Sequence, residues 1–204
     1  MSRIKAHRAL APSRDMNEAL ERLQTSLSEA PVIWKGEYPY FVHPITDGVP
    51  RLAPDVLEAV VELASAAIDW DQTDVLLGIE AMGLPLTAPL SLRHGVPMVV
   101  ARKRSYGMDG EVTVDQTTGY ASGAMHLNDL RPGERVAIVD DVISTGGTLA
   151  AVLHGVERTG ASVTNVVTVV EKGDGMTMLR ERFPQTVFAS LVTLRMDGAN
   201  IIVT

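Results

Sequence analysis

The chain has 204 residues, a formal net charge of -7 and no cysteine. The acidic balance argues against nonspecific nucleic-acid binding, which needs clustered cations, and the lack of cysteine excludes disulfides, thiolate metal sites and cysteine nucleophiles. With 46% hydrophobic residues, the chain is long enough and apolar enough to bury the core of one enzyme-sized domain.

The first predicted element is a helix that follows a polar N-terminal segment. Residues 1–14 are predicted to be frayed, and Asp15 is a candidate N-cap. An apolar stripe at helical spacing comes next, made of Met16, Ala19, Leu20, Leu23 and Leu27. We therefore expect a tail and an amphipathic helix over residues 1–33, and a main domain over residues 34–204.

The segment of residues 34–50 concentrates aromatic side chains in a chain that is only 4% aromatic. An aromatic wall with polar neighbours could hold a planar purine. The candidate contacts are Tyr40, Phe41, His43, Thr46 and Asp47. A hydrophobic hook that closes the edge of the core is the structural alternative.

From Pro54 onward, predicted helices and strands alternate. Pro54 opens a helix, and the elements after it cover residues 74–79, 84–93, 96–102, 135–139, 146–159, 163–170, 175–182 and 187–194. Such alternation predicts an α/β fold whose central, mostly parallel sheet has helices on both faces. Ligands of such folds bind at the carboxyl ends of the strands, where the polar loops of this sequence lie.

A predicted buried strand over residues 136–139 ends, toward solvent, at two adjacent carboxylates, Asp140 and Asp141. The turn behind it is small, hydroxylated and glycine-rich, and consists of Ser144, Thr145, Gly146, Gly147 and Thr148. Backbone N–H groups of such a turn converge on an anion at the start of the next helix, whereas the carboxylates accept hydrogen bonds from paired hydroxyls. The pattern predicts a sugar-phosphate site, with a plain strand-turn-helix junction as the alternative.

Further loops are candidates for anion binding and for closure over the site. Residues 78–84 join a strand to a helix and offer backbone donors next to Glu80, although an ordinary turn has a similar composition. Residues 102–104 place three cations at the end of a predicted strand. They form either an anion site or a solvated loop. The long, glycine-interrupted segment of residues 105–127 is a candidate lid.

Motifs of other enzyme classes are missing from the sequence. It contains no GxxxxGK[ST] P-loop, no GxGxxG after a strand and no HExxH, so ATPase, dinucleotide-dependent and zinc-protease functions lose their main support. Because there is no apolar run of the signal or membrane-spanning type, we expect a cytoplasmic protein.

Three sequence blocks together resemble one family. VDDVISTGGT at residues 139–148 resembles the phosphoribosyl pyrophosphate (PRPP) signature of the type I phosphoribosyltransferases. GIEAMG at residues 78–83 resembles the adenine and archaeal hypoxanthine enzymes, and KGEYPYFVHPITDGVP at residues 35–50 resembles the archaeal hypoxanthine group. The resemblance spans about residues 25–180 and implies the type I phosphoribosyltransferase fold with its small mobile hood.

The resemblance implies a transfer of 5-phosphoribose from PRPP to a purine base, with pyrophosphate as the leaving group. It implies that Asp140 and Asp141 are catalytic residues that hold the ribose hydroxyls, and that residues 144–148 bind the 5-phosphate. Mg2+ would arrive with PRPP near both carboxylates, without direct protein ligands. The implied pyrophosphate contacts are Glu80, Ala81, Met82, Gly83, Arg102 and Lys103, the implied lid residues are Gly110, Glu111 and Tyr120, and Glu171 joins the base contacts given above.

Two departures limit what the resemblance implies. Ser144 stands where many bacterial and eukaryotic hypoxanthine-guanine enzymes carry an aspartate, and a serine cannot act as a carboxylate base at neutral pH. Hypoxanthine or guanine is therefore favoured only through the likeness of residues 35–50, with adenine as the alternative. Met82 stands where the adenine enzymes usually carry an arginine, so the pyrophosphate contact is expected to depend more on backbone amides and on other cations.

A PRPP-sensing regulator without turnover is a second alternative, and transfer to another base such as orotate or xanthine is a third. Regulators of this kind usually add a DNA-binding segment, for which residues 1–33 are too short. We expect PRPP and a purine base as partners, a homodimer, and no nucleic acid or membrane as partner.

Overall fold

The computed structural model describes residues 16–117 and 122–204. The helices are α1 (Met16–Ser28), α2 (Pro44–Asp47), α3 (Pro54–Ala67), α4 (Gly83–His94), α5 (Gly147–Thr159) and α6 (Gly175–Arg182), with a 3-10 turn at Trp70–Gln72. The strands are β1 (Val32–Lys35), β2 (Tyr38–Phe41), β3 (Val75–Ile79), β4 (Met98–Ala101), β5 (Val112–Thr117), β6 (Ser122–Leu127), β7 (Arg135–Ile143), β8 (Ser162–Glu171), β9 (Val187–Asp197) and β10 (Asn200–Val203). Within the described residues, no helix combines the length and the apolar character that a bilayer crossing needs.

Six strands form the central sheet in the order β10, β9, β8, β7, β3, β4. All neighbouring pairs are parallel except β9 and β10, which confirms the predicted α/β fold with a mostly parallel sheet. After β3 the chain adds β4 on one side, and β7, β8 and β9 then extend the sheet on the other. The strand order therefore reverses between β3 and β7, and α/β sheets bind ligands at such a reversal.

The sheet lies between two apolar layers. All five residues of β3 are buried, and successive side chains of a strand point to opposite faces. Leu76 packs into a core shared with α1, α3 and α4, whereas Leu77 packs into a second core with α5 and α6. Helices therefore cover both faces of the sheet, as the alternation of elements predicts.

Helix α1 joins the main body of the protein through its predicted stripe. Ala19, Leu23 and Leu27 are buried in the same core as α3, while Met16 is 40% exposed. The predicted N-cap Asp15 and the predicted frayed tail lie outside the described residues. The boundary between residues 33 and 34 stays a prediction.

Three antiparallel pairings do not follow from the sequence pattern. β1 pairs with β2, β5 with β6, and β9 with β10. The β5–β6 hairpin lies within the segment predicted as a lid, and its Val114 and Leu127 lie against Gly155 of α5. Two-stranded ribbons gain their stability from packing against other elements, and such packing is invisible in a local pattern.

Candidate active site

Three adjoining cavities open near the carboxyl ends of β3 and β7. The first, of about 200 Å³, is lined by Asp140 and residues 142–149, where β7 leads into α5. The second, of about 350 Å³, lies between this loop and the β3–α4 loop, and we call it the central cavity. The third, of about 520 Å³, lies beside the β1–β2 hairpin, and we call it the aromatic cavity. Val142 lines all three.

The β7–α5 loop is held in place by two glycines. Gly146 adopts a φ of 76°, a left-handed conformation that suits glycine, and α5 begins at the next residue. The backbone N–H of Gly175 donates to the carbonyl oxygen of Ser144 at 2.9 Å. A Cβ atom on Gly175 would lie 2.4 Å from that oxygen, so α6 can approach the loop this closely only with glycine here. The loop leads directly into a helix N-terminus, where an anion is stabilised.

The two predicted sugar-binding carboxylates lie inside β7, because the strand continues to Ile143. Asp140 is buried, with 6% of its surface exposed, and Asp141 is half-buried. Burial raises the pKa of Asp140 to about 6. Burial, together with the charge of Asp140, raises the pKa of Asp141 well above its usual range. The predicted exposure to solvent is therefore wrong for Asp140. With one carboxylate buried and the other half-buried, the pair resists carrying two charges.

Glu80 organises the cations beside the central cavity. Its Oε2 atom accepts a hydrogen bond from the backbone N–H of Lys103 at 2.9 Å and lies 3.3 Å from Nε of Arg102. That Nε is buried and, among the described residues, has no partner with hydrogen-bond geometry, so Glu80 holds it through charge. Because a carboxylate repels pyrophosphate, Glu80 would support anion binding only indirectly, by holding Arg102 and the backbone of Lys103 in place.

The other residues predicted for pyrophosphate differ in position. The central cavity is lined, among others, by Glu80, Ala81, Met82 and Lys103. Gly83 begins α4, and a Cβ atom there would lie 2.7 Å from the carbonyl oxygen of Val139. Gly83 therefore sets the close approach of α4 to β7 and does not line the cavity.

The aromatic cavity combines aromatic and cationic side chains from separate parts of the chain. It is lined by Lys35, Tyr38, Tyr40, Phe41, Thr46, Val142, Ser144 and Lys172. The side chain of Lys172 donates to the hydroxyl of Tyr38 at 2.5 Å, and Nζ of Lys35 lies 3.7 Å from the centre of the Tyr40 ring. Sequence reasoning places Tyr40 and Phe41 at a base but misses Lys35, Tyr38 and Lys172. The one signal for Lys172 is its position directly after the end of β8.

His43 is closed off from ligands. Only 2% of its surface is exposed, its Nε2 lies 2.9 Å from Oγ of Ser26, and its Nδ1 accepts from the backbone N–H of Ile45 at 3.2 Å. Burial lowers the pKa of His43 to about 4, so the ring is neutral near pH 7. The predicted base contact of His43 is wrong, because this side chain ties α1 to the start of α2.

Asp47 and Glu171 also contact protein groups. Asp47 accepts hydrogen bonds from the hydroxyl of Tyr40 at 2.7 Å and from the backbone N–H of His43 at 3.0 Å, and it lines the central cavity. Glu171 accepts from Oγ of Ser190 at 2.8 Å and does not line the aromatic cavity. Asp47 therefore positions Tyr40, and the structure gives no support to the predicted base contact of Glu171.

The described part of the predicted lid is anchored at one carboxylate. Gly110 is exposed and adopts a φ of 81°. The side chain of Glu111 is only 8% exposed and accepts hydrogen bonds from Ser105, Tyr106 and Asn128. Tyr120 lies outside the described residues. The base of this segment is thus a fixed structure, although the sequence pattern indicates only a glycine-interrupted loop.

Sequence comparison relates the chain to a known family. Residues 52–187 match the family described as "Phosphoribosyl transferase domain". A hypoxanthine/guanine phosphoribosyltransferase of Ferroglobus placidus is 46% identical over 183 residues, which cover 90% of this chain and 97% of that protein. A hypoxanthine/guanine phosphoribosyltransferase of Methanosarcina acetivorans is 48% identical over 162 residues, which cover 79% of this chain and 85% of that protein.

Solved structures share the fold. An adenine phosphoribosyltransferase of Rhodothermus marinus superposes with a TM-score of 0.69 at 24% identity, covering 87% of this chain and 99% of that one. The adenine phosphoribosyltransferase of Trypanosoma brucei, in complex with AMP, pyrophosphate and ribose-5-phosphate, gives a TM-score of 0.66 at 21% identity, covering 90% and 82%. The family match and the archaeal relatives cover most of the sequence, and the chain belongs to the phosphoribosyl transferase family.

Proposed function

We propose that this protein is a purine salvage phosphoribosyltransferase that transfers 5-phosphoribose from PRPP to hypoxanthine or guanine. The observation that carries the proposal is the adjacency of three cavities of different chemistry. A glycine-rich cavity at a helix N-terminus adjoins the carboxylate-containing central cavity, which adjoins an aromatic cavity. This order matches a phosphate, a ribose with its pyrophosphate, and a planar base.

In the proposed mechanism, the β7–α5 loop binds the 5-phosphate through backbone N–H groups. Asp140 and Asp141 accept hydrogen bonds from the ribose hydroxyls. The bond between ribose C1 and the pyrophosphate oxygen breaks, and its electron pair leaves with pyrophosphate, whose growing charge Arg102 and Lys103 stabilise. A purine nitrogen attacks C1 from the opposite face and forms the new C–N bond, and the proton lost from the imidazole ring of the purine leaves with pyrophosphate, giving a nucleoside monophosphate. Closure of the hood over the site would exclude water as a competing nucleophile.

The carboxylate pair fits a magnesium ion that arrives with PRPP. Among the described residues, no group of three or more His, Cys, Asp or Glu side chains could hold a metal ion by itself. Two carboxylates with raised pKa values nevertheless favour a cation nearby, because it stabilises both ionised forms. Magnesium usually keeps several water and substrate oxygens as ligands and would help to neutralise the leaving group. The predicted homodimer stays a prediction.

The chemistry of the aromatic cavity favours a 6-oxopurine over adenine. Lys35 and Lys172 supply charged donors, and among the described residues no carboxylate lines this cavity. A 6-oxo group accepts a hydrogen bond, whereas the 6-amino group of adenine donates one and would face an ammonium donor. The names of the archaeal relatives agree with this preference.

A screen of four purines tests the proposal. The protein with PRPP and magnesium should convert hypoxanthine or guanine to the monophosphate, with at most weak turnover of adenine. Efficient turnover of adenine alone would contradict the proposed base. PRPP binding without turnover of hypoxanthine, guanine, xanthine or adenine would instead favour the sensing regulator.

We predict that Lys172→Met weakens the use of hypoxanthine more than the use of PRPP. Methionine keeps an unbranched side chain of similar length but removes the charged donor, and such hydrogen bonds contribute about 1.5 to 3 kcal/mol. The expected result is a KM for hypoxanthine raised by about tenfold or more, with an unchanged KM for PRPP. Lys172→Arg, which keeps a charged donor, is the matched control and should restore part of the loss. An unchanged KM for hypoxanthine in the methionine variant would remove Lys172 from base recognition.

PRPP binding should depend on pH through the carboxylate pair. Hydroxyl donors and a metal favour the ionised carboxylates, so binding lowers the pKa values that burial raises in the free protein. Affinity should therefore fall as the pH drops through about 6, the pKa of Asp140, and binding near that pH should release protons. Calorimetric titration in two buffers of different ionisation enthalpy measures the released protons. Proton uptake, or no exchange at pH 6, would contradict the assigned role of the pair.

A further inference from the structure

Glu111 is a carboxylate with a side chain that is 8% exposed, and it lies outside all three cavities. Its Oε1 accepts a hydrogen bond from Oγ of Ser105 at 2.5 Å, and its Oε2 accepts from the backbone N–H of Tyr106 at 2.9 Å and from Nδ2 of Asn128 at 3.0 Å. Nδ1 of His126 lies 3.7 Å away. Ser105 and Tyr106 belong to the segment between β4 and β5, and Asn128 directly follows β6. The Glu111 carboxylate therefore links the segment after β4 to the β5–β6 hairpin.

The segment after β4 includes Lys103, which lines the central cavity, and its neighbour Arg102, which does not line it. The guanidinium of Arg102 donates to the hydroxyl of Tyr106 at 3.3 Å, and the guanidinium of Arg104 lies 5.7 Å from the centre of the Tyr106 ring. Glu111 fixes the backbone of Tyr106, so the contact runs from Glu111 through Tyr106 to Arg102. In this series of contacts, the Glu111 carboxylate accepts from the backbone of Tyr106, and the Tyr106 hydroxyl accepts from Arg102.

The same cations are fixed from the opposite side. Glu80 in the β3–α4 loop contacts Arg102 and the backbone of Lys103. Arg102 and His126 exchange two backbone hydrogen bonds, at 2.9 and 2.7 Å, which join the end of β4 to β6. Arg102 thus contacts Glu80 of the β3–α4 loop directly and is linked to Glu111 through Tyr106.

We propose that Glu111 is a positioning residue that sets the geometry of Arg102 and Lys103 around the leaving pyrophosphate. The inference rests on the proposed function, because it takes pyrophosphate as the occupant of the central cavity. An ionised carboxylate is suited to the role, since it offers only acceptors to the donors around it. The hydrogen bonds from Ser105, Tyr106 and Asn128 hold the pKa of Glu111 at about 2, so it stays ionised across the neutral range.

Glu111→Gln tests the inference, because glutamine keeps the shape but replaces one acceptor by a donor. Calorimetry would measure the Kd of pyrophosphate with magnesium and, separately, the Kd of inosine monophosphate, which does not need the pyrophosphate contacts. We expect the first Kd to rise by about tenfold to a hundredfold, since misplacement of a group by about 1 Å costs about this much, and the second to change less than threefold. Glu157→Gln, on the exposed face of α5, should alter neither.

The outcomes separate this inference from the proposed function. Equal loss of both ligands, or no loss of pyrophosphate binding, would overturn the positioning role. Failure of the unaltered protein to bind inosine monophosphate would overturn the proposed function instead. If Glu111→Gln lowers the melting temperature too far for titration, Tyr106→Phe removes only the hydroxyl that Arg102 contacts. It should still weaken pyrophosphate binding selectively, and unchanged binding in that variant would overturn the inference.

Discussion

The double variant Asp140→Asn, Asp141→Asn is expected to lose phosphoribosyl transfer and to gain stability. Turnover should fall by at least about 1000-fold, since removal of a single preorganised polar group in an active site costs about 100-fold to 1000-fold. The gain in stability follows from burial. In the wild type, burial removes water from both carboxylates, and each lies close to the negative charge of the other. Ionisation of the pair at neutral pH therefore opposes folding.

The size of the gain can be estimated from the pKa of Asp140, which rises from 3.8 to about 6. A shift of about two units corresponds to about 3 kcal/mol at neutral pH, or a melting temperature higher by about 6 to 12 °C. For a raised carboxylate pKa, the wild type is most stable below pH 3.8, and stability is lost as the pH rises through about 6. The variant has no such loss, so its advantage should be present at pH 7.5 and nearly absent at pH 4.

Urea unfolding at these two pH values measures the effect, and Asp74→Asn provides a control of opposite sign. Arg135 holds the pKa of Asp74 at about 2, with the two side chains 2.7 Å apart. Its replacement should therefore lower stability at pH 7.5. If the double variant is less stable than the wild type at pH 7.5, or if it still turns over substrate, the assignment of a buried diol-binding pair fails.

The second large effect is expected at Gly175, which lies outside the PRPP signature. A Cβ atom there would lie 2.4 Å from the carbonyl oxygen of Ser144 and 2.5 Å from the backbone nitrogen of Gly146. Both are backbone atoms, so Gly175→Ala must displace the β7–α5 loop. We expect kcat/KM for PRPP to fall by about 100-fold and the free energy of unfolding to fall by about 2 kcal/mol.

Gly155→Ala is the matched control for this prediction. A Cβ atom there would be equally close to a neighbour, at 2.4 Å, but the neighbour is Cδ1 of Leu127, the tip of a flexible side chain. We expect a modest change of stability and a kcat/KM for PRPP within about threefold of the wild type. If the Gly175→Ala variant binds PRPP as tightly as the Gly155→Ala variant, the close approach of α6 does not set the conformation of the β7–α5 loop that PRPP binding needs.

The local pattern predicts the parallel part of the fold because buried parallel strands are nearly continuous apolar runs. β3, β8 and α5 begin and end within two residues of their predicted bounds. The antiparallel hairpins are different. β1, β2, β5 and β6 are short, partly exposed strands. Each pairs with its neighbour in the chain, but the surface that supports the β5–β6 hairpin comes from α5, which is distant in the chain.

The candidate site divides in the same way. Residues 140–148 are contiguous, so their roles can be proposed from spacing alone. The aromatic cavity joins Lys35 to Lys172, and the cation network joins Glu80 to Lys103. His43 has the composition of a base contact, yet its burial between α1 and α2 removes it from the site.

By itself, the sequence determined the alternating α/β plan, the glycine-rich turn before α5 and the pair of adjacent carboxylates, because each depends on neighbours within a few positions. Only the tertiary structure decided that Asp140 is buried, that Lys172 lines the aromatic cavity and that Glu111 is hydrogen-bonded to the segment that follows Arg102 and Lys103. Burial and charge proximity are properties of the packed chain. Burial and charge proximity arise when the loops after β3, β7 and β8 meet at the reversal of strand order. These loops are far apart in the sequence, so a local sequence pattern does not predict their contacts.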